Sequence, residues 1–114
     1  MSSLPTEHQE QCAFVNWFRA QFRGVRIFAI PNGGKRNVVV AIKLRNEGAS
    51  AGVPDLHIPE WRLWVEMKRR KGGEVTKHQK SWISYLQSIG HTVLVARGFT
   101  EARTKVMQWR RESA

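Results

Sequence analysis

The chain has 114 residues, 19 Lys and Arg against 9 Asp and Glu, and a formal net charge of +10. That length predicts a single domain spanning residues 1–114, able to bury roughly 60–70% of its unfolded surface. The charge predicts an anionic partner, of which nucleic acid is the commonest, while the lack of a bilayer-length apolar run argues against a membrane. The lone Cys12 excludes an intramolecular disulfide, so the natural compartment is the cytoplasm.

Thr6 is placed to cap a helix from Glu7 to about Phe22, which Gly24 ends. Ala13, Phe14, Trp17, Phe18 and Phe22 recur at helical spacing. Glu10 shares that inward face, and a carboxylate aimed at a core needs a partner. Glu7 fits better as a first-turn charge favoured by the helix dipole. Cys12 reads as a buried structural thiol. Residues Val25 to Ile30 read as a strand rich in β-branched and aromatic residues. Pro31-Asn32-Gly33-Gly34 ends it. Gly33-Gly34-Lys35 lacks the spacing and the Ser or Thr of a P-loop. The segment is either a turn or a loop whose amides, with Lys35 and Arg36, approach a DNA backbone.

Asn37 to Glu47 carries Val38, Val39, Ala41, Ile42 and Leu44. The three valines are locally strand-like, but the wider pattern predicts a helix stopped by Gly48. Small residues then lead into Asp55. Leu56-His57-Ile58 predicts a short strand, Pro59-Glu60 a turn, and Trp61 onward a longer strand. Arg69-Arg70-Lys71 is the densest basic run and a candidate phosphate contact. Thr76 caps a predicted helix to Ile89 with Trp82, Ile83, Leu86 and Ile89 as its buried stripe. Residues His91 to Ala96 form a strand. Thr100 caps a last helix, Glu101 to about Arg111, with Ala102, Val106 and Trp109 on one side. The order α, β, α, β, β, α, β, α predicts an α/β fold with a small mixed sheet of about four strands flanked by helices.

The chemistry concentrates between Gly52 and Gln79. In a strand, Glu66 and Lys68 project to one face and Met67 to the other. A hairpin of the predicted length brings Asp55 alongside Glu66. Two carboxylates that close repel unless a cation lies between them, and hard oxygen ligands suit Mg²⁺ or Mn²⁺. An ammonium at Lys68 can then act on a phosphate or an attacking water. Gln79, in the first turn of its helix, can position a water or a phosphate oxygen. The four histidines have no zinc-site or His-metal nuclease spacing.

Pro54-Asp55 followed by Glu66-x-Lys68 matches the signature of the PD-(D/E)xK nucleases. Gly52-Val53-Pro54-Asp55-Leu56, Trp64 to Lys68, Gln79, and Gly90 before Val93-Leu94-Val95 together resemble the stand-alone VRR-NUC family over roughly residues 7–97. That resemblance implies a restriction-endonuclease-like fold and a metal-dependent DNA endonuclease. It implies a metal held by Asp55, Glu66, the Met67 carbonyl and an N-terminal Glu, with Glu10 the best match and Glu7 the alternative. Lys68 would be the catalytic lysine and Gln79 the family glutamine. It also implies a homodimer acting on branched DNA such as Holliday junctions. A non-catalytic nucleic-acid-binding module and a sequence-specific restriction-type endonuclease are the competing readings.

Overall fold

The computed structural model describes residues 3–31 and 38–113. Lys35 and Arg36 lie outside the described residues. The elements run α1 (Glu7–Gln21), β1 (Phe28–Ala29), α2 (Val38–Asn46), β2 (Leu56–Ile58), β3 (Leu63–Lys68), α3 (Lys77–Ser88), β4 (Thr92–Arg97) and α4 (Phe99–Ser113). The strands form one sheet in the order β1-β2-β3-β4. β1 with β2 and β2 with β3 are antiparallel, and β3 with β4 is parallel. A parallel pair needs a long crossover, and α3 supplies it. The architecture is the α/β fold with a four-stranded mixed sheet expected from the sequence.

One face of the sheet is packed by α1 and α4. Leu56, Ile58, Leu63, Val65 and Met67 project from it with no exposed surface, against the equally buried Phe14, Phe18 and Val106. Ala102 is also buried and Trp109 packs beside it, as the spacing in α4 predicts. Burying side chains of this size contributes about 1.5–3 kcal/mol each and holds β3 centrally.

Several local expectations are corrected. β1 pairs only Phe28 and Ala29, because its partner β2 is three residues long and a ladder cannot outrun its neighbour. Trp61 and Arg62 are not in β3. Pro59–Trp61 form a 3₁₀ turn closed by Arg62 in the left-handed region at φ 49°, which frees Trp61 to pack on Phe18 and Phe22. α4 starts at Phe99 rather than after Thr100, with the Gly98 carbonyl accepting from the Ala102 amide at 3.1 Å. Cys12 is exposed, not buried, with its sulfur 3.5 Å from His8 Nε2. Ala13 is exposed too. In α3 only Leu86 is buried, Trp82 and Ile83 are half-buried, and Ile89 is 48% exposed. The helix expected from Asn37 to Glu47 is α2, and none of its residues is buried.

Candidate active site

The second face of the sheet carries the polar cluster. Strand alternation sends Met67 into the core, and Glu66 and Lys68 the other way, as predicted. The pairing of Leu56 with Val65 sets Asp55 opposite Glu66, one step beyond the end of β2. There the Asp55 side chain replaces a ladder partner, and its Oδ2 accepts from the Met67 amide at 2.8 Å. The Asp55 carbonyl accepts from the Ile30 amide at 2.8 Å. Asp55 is thereby fixed at both its main chain and its carboxylate.

Glu66 and Lys68 are 3% and 7% exposed, unusual burial for charged residues. Lys68 Nζ donates to Gln79 Oε1 at 2.8 Å and to the Glu74 carbonyl at 3.2 Å, and lies 3.7 Å from Glu66 Oε2. Gln79 Nε2 donates to the same Glu66 oxygen at 2.9 Å. Gln79 Oε1 also accepts from the Thr76 amide at 2.8 Å, while Thr76 Oγ1 accepts from the Gln79 amide at 3.2 Å. This is a capping box. The glutamine that starts α3 therefore also bridges the amine and the carboxylate on β3.

Gly52 permits this arrangement. Its φ is +90°, and a Cβ there would lie 2.4 Å from the His78 carbonyl carbon and 2.7 Å from the Gln79 amide nitrogen. Only a residue without a side chain lets the loop before Asp55 touch the first turn of α3.

The electrostatics are strained in one direction. Burial, then the charge of Asp55, pushes Glu66 up to about 8, against the pull of Lys68. Burial also raises Asp55, although the Met67 amide opposes it. The Glu7 charge raises both. Among the described residues Glu66 Oε1 is buried with no hydrogen-bond partner. A carboxylate oxygen in that state lacks a proton or a cation. The chemistry of the pair therefore fits a hard divalent ion, with carboxylate oxygens of Asp55 and Glu66 as the donors. Among the described residues no group of three His, Cys, Asp or Glu side chains is gathered closely enough to hold an ion alone.

Glu10 belongs to a different constellation. It is 3% exposed, and Arg70 Nε and Nη2 donate to its two oxygens at 2.7 and 3.2 Å. Arg70 and the Phe99 amide hold its carboxyl below the usual range despite burial. A Cβ at Gly98 would meet Glu10 Oε2 at 2.4 Å, so Glu10 ties α1 to the turn before α4. Arg69, Arg70 and Lys71 are exposed. With Thr6 and Glu7 they line a cleft of about 360 Å³. Sequence reasoning missed Arg97. Its guanidinium donates to the carbonyls of Arg69, Gly72 and Gly73 and so fixes this basic loop. An arginine at a strand end gives no signal of that role.

Comparison with known proteins agrees with this fold. A family model described as VRR-NUC domain matches residues 1–100. A solved structure titled VRR_NUC domain protein superposes with a TM-score of 0.79 and 27% identity, covering 96% of this chain and 91% of its own. No curated protein matches the chain. VRR-NUC domains are nuclease-type domains, and with the match spanning residues 1–100 and the fold shared along nearly its whole length, the chain belongs to the VRR-NUC family.

Proposed function

We propose that the protein is a divalent-metal-dependent DNA endonuclease that hydrolyses phosphodiester bonds in branched DNA such as Holliday junctions, as a homodimer. The observation that carries the reading is Glu66 Oε1, buried opposite Asp55 with no hydrogen-bond partner among the described residues. Asp55, Glu66 and the Met67 carbonyl would hold Mg²⁺ or Mn²⁺. Glu7 adds the third negative charge, because its field reaches both carboxylates whereas Glu10 is taken by Arg70. Such an ion, when bound, polarises a phosphate oxygen and makes a water more acidic.

The chain's own residues do the positioning. Lys68, held by Gln79 and the Glu74 carbonyl, presents an ammonium beside Glu66, where it orients the attacking water and offsets charge on the scissile phosphate. Gln79 keeps that ammonium and Glu66 at a fixed separation. Arg69 and Lys71, on the Arg97-braced loop, take flanking phosphates. The net charge of +10 favours the polyanion. Cutting two strands of a junction symmetrically needs two such sites related by a two-fold axis. On α2, Val38 and Val39 are 73% and 76% exposed, an apolar surface that a second copy would cover.

The test is a cleavage panel of four-way junction, flap and linear duplex with Mg²⁺ or Mn²⁺. Junction cutting abolished by Lys68→Ala and Asp55→Asn, with binding retained, is the expected result. Binding without cutting under either metal would instead favour a non-catalytic nucleic-acid-binding module. Cutting at one sequence of linear duplex would favour a restriction-type enzyme. Sedimentation of Val39→Glu against the unaltered chain checks the dimer, which that charge should dissociate.

A further inference from the structure

The face of the sheet that carries Asp55 and Glu66 also carries an aromatic row that the hydrolytic site does not use. Phe28 pairs with His57, and His57 with Trp64, so three adjacent strands place a ring at the same level. Phe28 stands edge-on to His57 at 5.6 Å and 87°. His57 lies stacked on Trp64 at 3.8 Å and 22°. Trp64 Nε1 donates to His91 Nδ1 at 2.9 Å. Phe28 is 48% exposed, and His57, Trp64 and His91 are half-buried. The hydrophobic core is on the opposite face and includes none of these four rings among the described residues.

The hydrogen bonds assign the imidazole protons. A carbonyl only accepts, so His57 Nδ1, 3.2 Å from the Leu63 carbonyl, carries its hydrogen and leaves Nε2 as an acceptor. His91 accepts at Nδ1 and therefore carries its hydrogen on Nε2. The row thus offers flat π surface together with one acceptor and one donor, in rings whose centroids are 6.0 Å apart. Neither Nε2 has a partner among the described residues.

The distance to the hydrolytic site is set by the pleat. Trp64 is two residues before Glu66 on β3, and His57 is two residues after Asp55. Two residues of strand span about 6.5–7 Å. That is on the scale of one nucleotide step along an extended strand. A group bound on the row and a phosphate at Asp55 and Glu66 would belong to neighbouring nucleotides.

We infer that Phe28, His57, Trp64 and His91 form a subsite for an unpaired nucleobase of DNA, one nucleotide from the scissile phosphate. This rests on the nuclease reading and deepens it. Stacking on aromatic rings is tolerant of sequence, and the single donor and acceptor engage a base edge that is exposed only when unpaired. Unpairing a base costs less at a branch point, where stacking is interrupted, than inside a continuous duplex. The subsite therefore favours branched over linear DNA without any sequence reading.

The experiment is an abasic scan. A junction and a single-stranded oligonucleotide, each carrying one abasic nucleotide at successive positions, are bound in Ca²⁺, so that affinity is read without cutting. An abasic site removes a base and keeps its phosphate. In the unaltered protein one position should weaken binding by about five- to a hundredfold, the range of one lost base stack. Phe28→Ala and His57→Ala should bind intact DNA correspondingly more weakly and lose sensitivity at that position alone. Phe28, being exposed, keeps the test clear of misfolding. A flat scan, or a sensitive position unchanged in both variants, would overturn the subsite. Cleavage is scored separately with Mg²⁺ or Mn²⁺. Cutting with a flat scan sinks the subsite and leaves the nuclease standing. A sensitive position without cutting sinks the nuclease and leaves a base-binding face.

Discussion

Gln79 holds Glu66 through its amide nitrogen at 2.9 Å while its amide oxygen caps α3 and receives Lys68 at 2.8 Å. One side chain therefore couples the helix start to the spacing of two site residues on β3. Gln79→Ala should lower the melting free energy by about 1 kcal/mol, the usual size of a lost cap. It should lower kcat by about tenfold or more, because Lys68 and Glu66 are no longer held apart. Gln79→Glu preserves an acceptor for Thr76 and Lys68 but sets a carboxylate against Glu66. If Gln79→Glu restores the melting temperature without restoring kcat, the glutamine positions the site as well as the helix. Full recovery of kcat would reduce it to a cap.

Gly52 is the second positional control. Gly52→Ala places a methyl group 2.4 Å from backbone at His78, in a left-handed conformation. Strain of this kind costs about 1–3 kcal/mol. The start of α3 must move, and Gln79 moves with it. The expected outcome is a lower melting temperature together with weaker Mn²⁺ binding by calorimetry. Metal binding unchanged in a destabilised variant would separate Gly52 from the site.

The raised Glu66 pKa makes stability depend on pH with a definite sign. In the unfolded chain Glu66 titrates near 4.5, and in the folded chain near 8. Between those values the folded state binds the extra proton, so metal-free stability falls as pH rises through that window. A divalent ion bound at the proposed site would replace that proton. Its stabilising effect should therefore grow from about pH 5 to about pH 9. Thermal melts across this range, with chelator and with Mg²⁺, check both slopes. Asp55, also raised by burial, adds to the trend in the same sense. In Glu66→Gln the window should flatten.

The two N-terminal glutamates should separate in their effects. Glu7→Gln removes a charge that raises both Asp55 and Glu66, and should weaken metal binding while leaving the fold intact. Glu10→Gln breaks the ion pair with Arg70 at the junction of α1, α4 and the basic loop. It should lower the melting temperature and change metal affinity little. Calorimetric titration of both variants with Mn²⁺ distinguishes them, and a larger loss in Glu10→Gln would return the ligand role to Glu10.

The sequence by itself determined the order of the elements, the helix caps at Thr6 and Thr76, and the closeness of Asp55, Glu66, Lys68 and Gln79. These depend on local chemistry: alternation along a strand, side-chain oxygens at helix starts, and a hairpin too short to misalign its two carboxylates. Tertiary structure decided the rest. That Glu10 meets Arg70 at 2.7 Å depends on how α1 sits on the sheet, which helical spacing does not encode. That Arg97 braces the basic loop, and that Phe28, His57 and Trp64 share one row, follows from strand register, a non-local pairing that composition and periodicity do not encode. Cys12 and the valines of α2 look buried by hydropathy alone. Their exposure reflects which face each helix turns to its neighbours, and hydropathy carries no record of the neighbours.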